Sequence, residues 1–358
     1  MPPSPAVSNP PERWGSGTSY SEIQGQHGAG PRVRGPLGGG AVCQEDAPPA
    51  TENEEDGLDS ALVVQSSSWP DPWLVAGWAL AATSRLRIAV AHRVGTTAPT
   101  VSARALATLD RLSGGRAAAH VIVGSSDADV ARDGDTLGKA DRYRRAGEYL
   151  EIFGRTLRTQ EDFDHDGEFY TVRGARSGLL PRPRAELLSF GGSSPEGVEL
   201  AARHADVYAV SPAPLSVTRH RIARAHTAAA AHGRRLRIWR HVTVVTARTD
   251  EEAERRARQL RAETLRLTSG PDAARYRDAV QLDRERDRDR APDLTAYVSR
   301  ALAGAYIGSL DTVAARIGSL RTAGVDIVQL DMALETDEDR ALRRALVQRL
   351  RAPGRRGW

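Results

Sequence analysis

Cysteine is all but absent: Cys43 is the only one in 358 residues, which excludes an intramolecular disulfide and argues against a thiolate-held metal cluster. Lysine is as scarce, with Lys139 alone, so nearly all of the 50 basic residues are arginine. They are interleaved with 46 acidic residues, for a formal charge of +4. That balance describes a solvated surface of mixed charge, not a nucleic-acid-binding stripe. Aromatic residues make up only 5%, yet a hydrophobic content of 40% is enough for a real core. No apolar run reaches the roughly 18 residues of a membrane span, and no basic-then-apolar leader opens the chain. A cytoplasmic protein with neither a membrane nor a nucleic-acid partner is expected. No metal-ligand constellation stands out, since Asp164-His-Asp166 falls in a turn. No glycine-rich nucleotide loop follows a strand pattern either.

What is present divides the chain at about residue 57. Residues 1–57 are rich in Pro, Gly and Ser and carry no apolar periodicity, which predicts a disordered or loosely attached segment. From 58 to about 352, strand and helix patterns alternate. The strand-like runs are 61–64, 86–91, 119–123, 187–190, 207–210, 238–246 and 326–330. Amphipathic helix patterns cover 73–84, 99–112, 139–158, 195–204, 216–232, 250–267, 311–323 and 337–351. Such alternation predicts an α/β fold of parallel strands, here a TIM (β/α)8 barrel. The count is one strand short, and Gly40–Cys43 is a poor candidate for a first strand. A small hairpin is expected over Phe163–Arg173, and the charged run 281–293 reads as a solvated loop or a lid.

The stretch Ala98–Arg116, ending Leu-Asp-Arg-Leu-Ser-Gly-Gly-Arg, resembles the luciferase-like flavin monooxygenases, and within them the alkanesulfonate monooxygenases. Asp141-Arg-Tyr143, Phe190-Gly-Gly-Ser-Ser194 and Val313-Ala-Ala-Arg316 extend the resemblance over roughly residues 58–350. It implies a bacterial-luciferase-type barrel and a dimer or tetramer. It also implies a two-component reaction in which an NAD(P)H-dependent flavin reductase supplies reduced FMN (FMNH2). The protein would then use O2 to oxygenate a small organic substrate. An F420- or flavin-dependent reductase on the same barrel, and a non-catalytic or poorly folding relative, stay open as alternatives.

Gly191, Gly192, Ser193 and Ser194 lie where a strand ends and a helix begins, so free N–H groups and two hydroxyls suit a phosphate. Simple helix capping by the serines is the competing explanation. The resemblance implies that this segment and Tyr143 hold the FMN phosphate, with His92, His120 and Ile122 beside the flavin. His92 and His241 are the candidate catalytic side chains. Several family residues are replaced: Trp69 stands for a cysteine, His241 and Thr243 for an arginine and a histidine, and Ser211 for a tryptophan. A tyrosine after the last strand is missing from Asp331–Glu335. His241 could stand in for the lost cation, and Trp69 and Trp73 either shape an apolar pocket or pack between helices.

Overall fold

The computed structural model describes residues 48–67, 70–124, 127–181, 187–269, 304–332 and 337–351. Helix α1 (Pro48–Glu55) and strand β1 (Ser60–Val63) lead into α2 (Pro72–Ala82), β2 (Arg87–Arg93), α3 (Pro99–Leu112) and β3 (Ala117–Ile122). A short α4 (Asp127–Arg132) and a long α5 (Lys139–Arg158) precede the hairpin of β4 (Phe163–Asp166) and β5 (Thr171–Ala175). Then come β6 (Leu188–Gly191), α6 (Pro195–His204), β7 (Val207–Val210), α7 (Leu215–Ala231), β8 (Arg237–Ala247) and α8 (Asp250–Ser269). The chain closes with β9 (Tyr306–Ser309), α9 (Leu310–Thr322), β10 (Ile327–Met332) and α10 (Asp337–Arg351). Gly40–Cys43, Trp69 and the charged run 281–293 lie outside the described residues.

The seven expected strands and the hairpin form. Helix α1 falls inside the segment read as unstructured, and α4 and β9 have no counterpart in the sequence reading. Eight strands make one parallel sheet in the order β1-β2-β3-β6-β7-β8-β10, with β9 pairing the last residues of β8. The sheet is curled. His120 on β3 and Trp239 on β8 stand three strands apart, which is about 14 Å in a flat sheet. Their rings nevertheless meet edge to face at 4.7 Å between centroids, because the inner faces converge.

Local chemistry explains the connections. Pro99 opens α3 at a position where its missing N–H costs nothing, and Ser102, Ala103, Leu106, Ala107 and Asp110 form its buried face. Gly114 (φ +74°) and Gly115 (φ +95°) then reverse the chain through backbone conformations other residues rarely adopt. Arg116 locks the turn, donating to the carbonyls of Leu80 (2.7 Å) and Leu86 (3.0 Å) and to the hydroxyl of Thr83 (3.0 Å). The Leu-Ser-Gly-Gly-Arg segment is thus a device for returning the chain to the sheet.

Among the described residues no strand joins β10 back to β1, so the ring has a seam. Ion pairs bridge it. The carboxylate of Asp56, just before β1, accepts from Arg343 Nε (3.1 Å) and Nη2 (2.7 Å) on α10. It also accepts from Arg344 Nε (3.1 Å) and Nη2 (2.8 Å), and from Arg340 Nε (3.4 Å). Arg351 reaches Asp59 in the same way. Asp56 is 2% exposed. Burial pushes its carboxyl pKa up, but the hydrogen bonds of Arg343 and Arg344 and the charges of Arg343 and Arg340 outweigh that, and the net direction is down.

Asp56→Asn should therefore cost about 2 kcal/mol, because it removes the buried charged acceptor on which Arg340, Arg343 and Arg344 converge. Denaturant melts check this, and an unchanged midpoint would show that the seam is held by other contacts.

Candidate functional site

In a parallel sheet, residues facing each other across a ladder point to the same side, and neighbours along a strand alternate. His120 pairs with Ala91 and Ser189, and Gly191 with Ala209, which pairs in turn with Trp239. All of these face the inside of the ring. Ile88, Val90, Val121 and Phe190 have the opposite phase and are fully buried against the helices. Burial of each contributes about 1.5–3 kcal/mol. The inner residues differ in size and exposure. Ala89, Ala118, Ile122, Gly191, Ala209 and His241 are only half-buried. Barrel interiors are usually filled by bulky branched side chains. Here small ones leave a hollow that solvent reaches.

At the carboxyl rim of that hollow β6 hands over to α6. A Cβ on Gly197 would stand 3.0 Å from the carbonyl carbon and oxygen of Gly192, so the first turn of α6 rests directly on the strand end. A Cβ on Gly192 would lie 3.2 Å from the Tyr143 hydroxyl, which α5 delivers to this point. The Tyr208 hydroxyl donates to the Gly192 carbonyl at 2.8 Å. Ser194 is the N-cap, accepting from Gly197 N–H at 3.2 Å. Its side chain thus does the capping job, which leaves its backbone and the exposed Ser193 as the groups that remain for a ligand. Arg224 donates to the Ser193 carbonyl at 3.2 Å. The exposed carboxylate of Glu196 accepts from its own N–H and from the Ser194 hydroxyl, and both lower its pKa. Lys139 adds to that lowering by its charge.

His120 sits behind this rim. Ser189 Oγ gives its proton to the Ala119 carbonyl (3.2 Å) and so accepts from His120 Nδ1 at 2.9 Å. Nε2 then carries the lone pair, 3.1 Å from where a Cβ of Gly191 would be. Burial lowers the His120 pKa to about 4, so the ring is a neutral acceptor facing the hollow. Ile122 shares its inner face.

His92 is not part of this group. It pairs with Val121 and therefore faces the helices. Trp73 Nε1–H donates to Nδ1 at 3.3 Å, leaving Nε2–H to donate to Tyr149 Oη at 2.5 Å. With both nitrogens engaged, 1% exposure and a pKa lowered by burial to about 4, His92 is a neutral packing residue of the outer layer. The structure therefore does not bring His92 together with Tyr143, Gly192 and His120, and Trp73 packs in the outer layer with it. His241 does face inward, beside Trp239 and Thr243 along β8, and hydrogen-bonds Asp331 of β10. Sequence reasoning missed that partner, as it missed Ser189, Tyr208 and Arg224.

A family model described as luciferase-like monooxygenase matches residues 30–327. The chain belongs to this family of oxygenating flavin enzymes. The match begins before residue 57, and helix α1 also lies before it. Luciferase-like relatives of known structure share the fold. DmoA from Hyphomicrobium sulfonivorans is 20% identical, covering 86% of this chain and 80% of its own, with a TM-score of 0.69. EDTA monooxygenase (EmoA) from Chelativorans sp. BNC1 is 18% identical, covering 85% of each chain, with a TM-score of 0.68. An F420-dependent secondary alcohol dehydrogenase is 16% identical, covering 85% of this chain and 93% of its own, with a TM-score of 0.67. Among the described residues no helix is long and apolar enough to cross a membrane.

The two buried histidines make a prediction about acid. Unfolding restores their ordinary value of 6.5, so below that pH the unfolded chain binds protons that the fold refuses until about 4. Stability present above pH 6.5 should fall by about 1.4 kcal/mol per pH unit per histidine between those limits. Urea melts of the wild type and of a His92→Gln, His120→Gln double variant check it. Equal pH slopes would contradict the assignment.

Proposed function

We propose that the hollow binds reduced FMN delivered by a separate NAD(P)H-dependent flavin reductase, and that the protein uses O2 to oxygenate a small organic molecule there. The observation that carries this reading is the meeting of Gly192, Tyr143 and the start of α6 at the rim of a hollow lined by His120. The residues fit the group. Glycine at 191 and 192 leaves the backbone bare where any side chain would strike His120 or Tyr143. Tyr143, the exposed Ser193, Arg224 and Lys139 would offer hydrogen-bond donors and positive charge to a phosphate, together with the α6 N-terminus. Ser194 would contribute through its backbone while its side chain caps the helix.

His120 and Ile122 would border the ring system further in, with Nε2 of His120 ready to accept a hydrogen bond from a ring N–H. Reduced FMN, when bound, would supply the electrons and the site of oxygen activation. The protein contributes the rest. Trp239 and the alanine-lined inner face would give the reacting region apolar walls, and the neutral His120 neither donates a stray proton nor adds charge. Glu196 must swing away from the helix start for a phosphate to settle, which sets a tunable cost.

Fluorescence titration under anaerobic conditions tests the phosphate seat. FMN, reduced or oxidised, should bind at least about tenfold more tightly than riboflavin in the matching redox state, which is about 1.4 kcal/mol. Reduced FMN should outcompete oxidised FMN. Tyr143→Phe should weaken FMN and leave riboflavin nearly unchanged, whereas Glu196→Gln should tighten FMN. Equal affinity for FMN and riboflavin would refute the seat. Rejection of FMN with retention of F420 would move the chain to the reductase branch of the fold.

A further inference from the structure

His241 lies midway along β8, half-buried and opposite Gln329, while Asp331 lies opposite Thr243, one pleat nearer the carboxyl rim. Both point into the hollow. His241 Nε2 hydrogen-bonds Asp331 Oδ2, with the carboxylate side chain 6% exposed and the imidazole 27% exposed. A carboxylate oxygen accepts at Nε2, so the neutral imidazole here is the Nε2–H tautomer, with the lone pair on Nδ1. Nδ1 makes no hydrogen bond among the described residues. The neighbouring inner side chains, Trp239, Thr243 and Gln329, do not titrate. The other histidine facing the hollow, His120, is spoken for by Ser189 and stays neutral.

This pairing also bears on the substrate. A lone imidazolium in place of an arginine would suit an anionic sulfonate, but a carboxylate at its back offsets that charge. An imidazole held by a carboxylate, with its second nitrogen open, is instead the arrangement that accepts a proton. Building on the reading of the hollow as the active site, we propose that His241 is its proton acceptor and Asp331 the positioning residue. The substrate class that follows is a small neutral molecule with an acidic O–H, such as a phenol or an enol. The substrate O–H bond breaks, the proton goes to Nδ1, and the electron pair stays on oxygen. Asp331 balances the imidazolium that forms, and the proton later returns to product or solvent. No oxidant or reductant enters this step.

4-Nitrophenol reports the transfer directly, because its phenolate absorbs in the visible. The measurement uses the full-length protein at a pH below the probe's own ionisation midpoint, with FMN affinity and melting midpoint recorded for each variant. Wild-type protein should raise the phenolate band on binding. His241→Gln should abolish that rise, and Asp331→Ala should cut it about tenfold. Asp331→Glu should restore part of it. Tyr143→Phe, which weakens FMN, should leave the phenolate band intact, which separates this proposal from the flavin reading beneath it. A wild-type protein that binds FMN yet produces no phenolate band, or a band that His241→Gln leaves intact, would overturn the assignment. Failure to bind FMN would count against the flavin reading instead.

Discussion

Strand pleating in a curled parallel sheet governs everything described above. Each strand must send alternate side chains outward to the helices and inward to the ring. The outer set is large and completely buried, as Ile88, Val90, Val121 and Phe190 illustrate. The inner set is small, polar or aromatic, and includes half-buried positions such as Ala89, Ala209 and His241. Stability and chemistry are thereby assigned to opposite faces of the same strands. One residue of shift moves a side chain from one role to the other, which is why His92 and His120 part company despite their similar settings in sequence.

A ring with a seam needs something in place of the missing strand ladder. The Asp56 carboxylate, set against arginines of α10, ties the start of β1 to the helix that follows β10. A buried ion pair contributes little over an apolar contact of equal shape, but it is specific about geometry. The curl brings Trp239 over His120, and the register of β10 on β8 sets Asp331 beside His241.

Much of this was legible in the sequence. Elements with clear periodicity, such as α5 over Lys139–Arg158 and α6 over Pro195–His204, form where the pattern places them. Short pieces without an apolar stripe did not announce themselves: α1 reads Pro-Pro-Ala-Thr-Glu-Asn-Glu-Glu, and it is held by contacts remote in sequence. Gly192 and Tyr143 were found through a resemblance, and the fold brings them together. The phase of β2 was harder, because Ile88-Ala-Val-Ala91 is apolar on both faces. The alternation of size, large outward and alanine inward, was the available signal, and it would have placed His92 correctly. Asp331 could not be found this way. Its role depends on cross-strand register with β8, and register between distant strands is not written in either one alone.

The central claim is that a phosphorylated flavin sits with its anionic end at the β6–α6 junction and its rings inside the curled sheet. Diffraction from crystals grown anaerobically with reduced FMN tests it most directly. The account predicts phosphorus density within hydrogen-bonding reach of the Ser193 and Ser194 amides and of Tyr143, with the isoalloxazine against His120. Density for the phosphate at any other helix start, or for the rings outside the inner face, would contradict it.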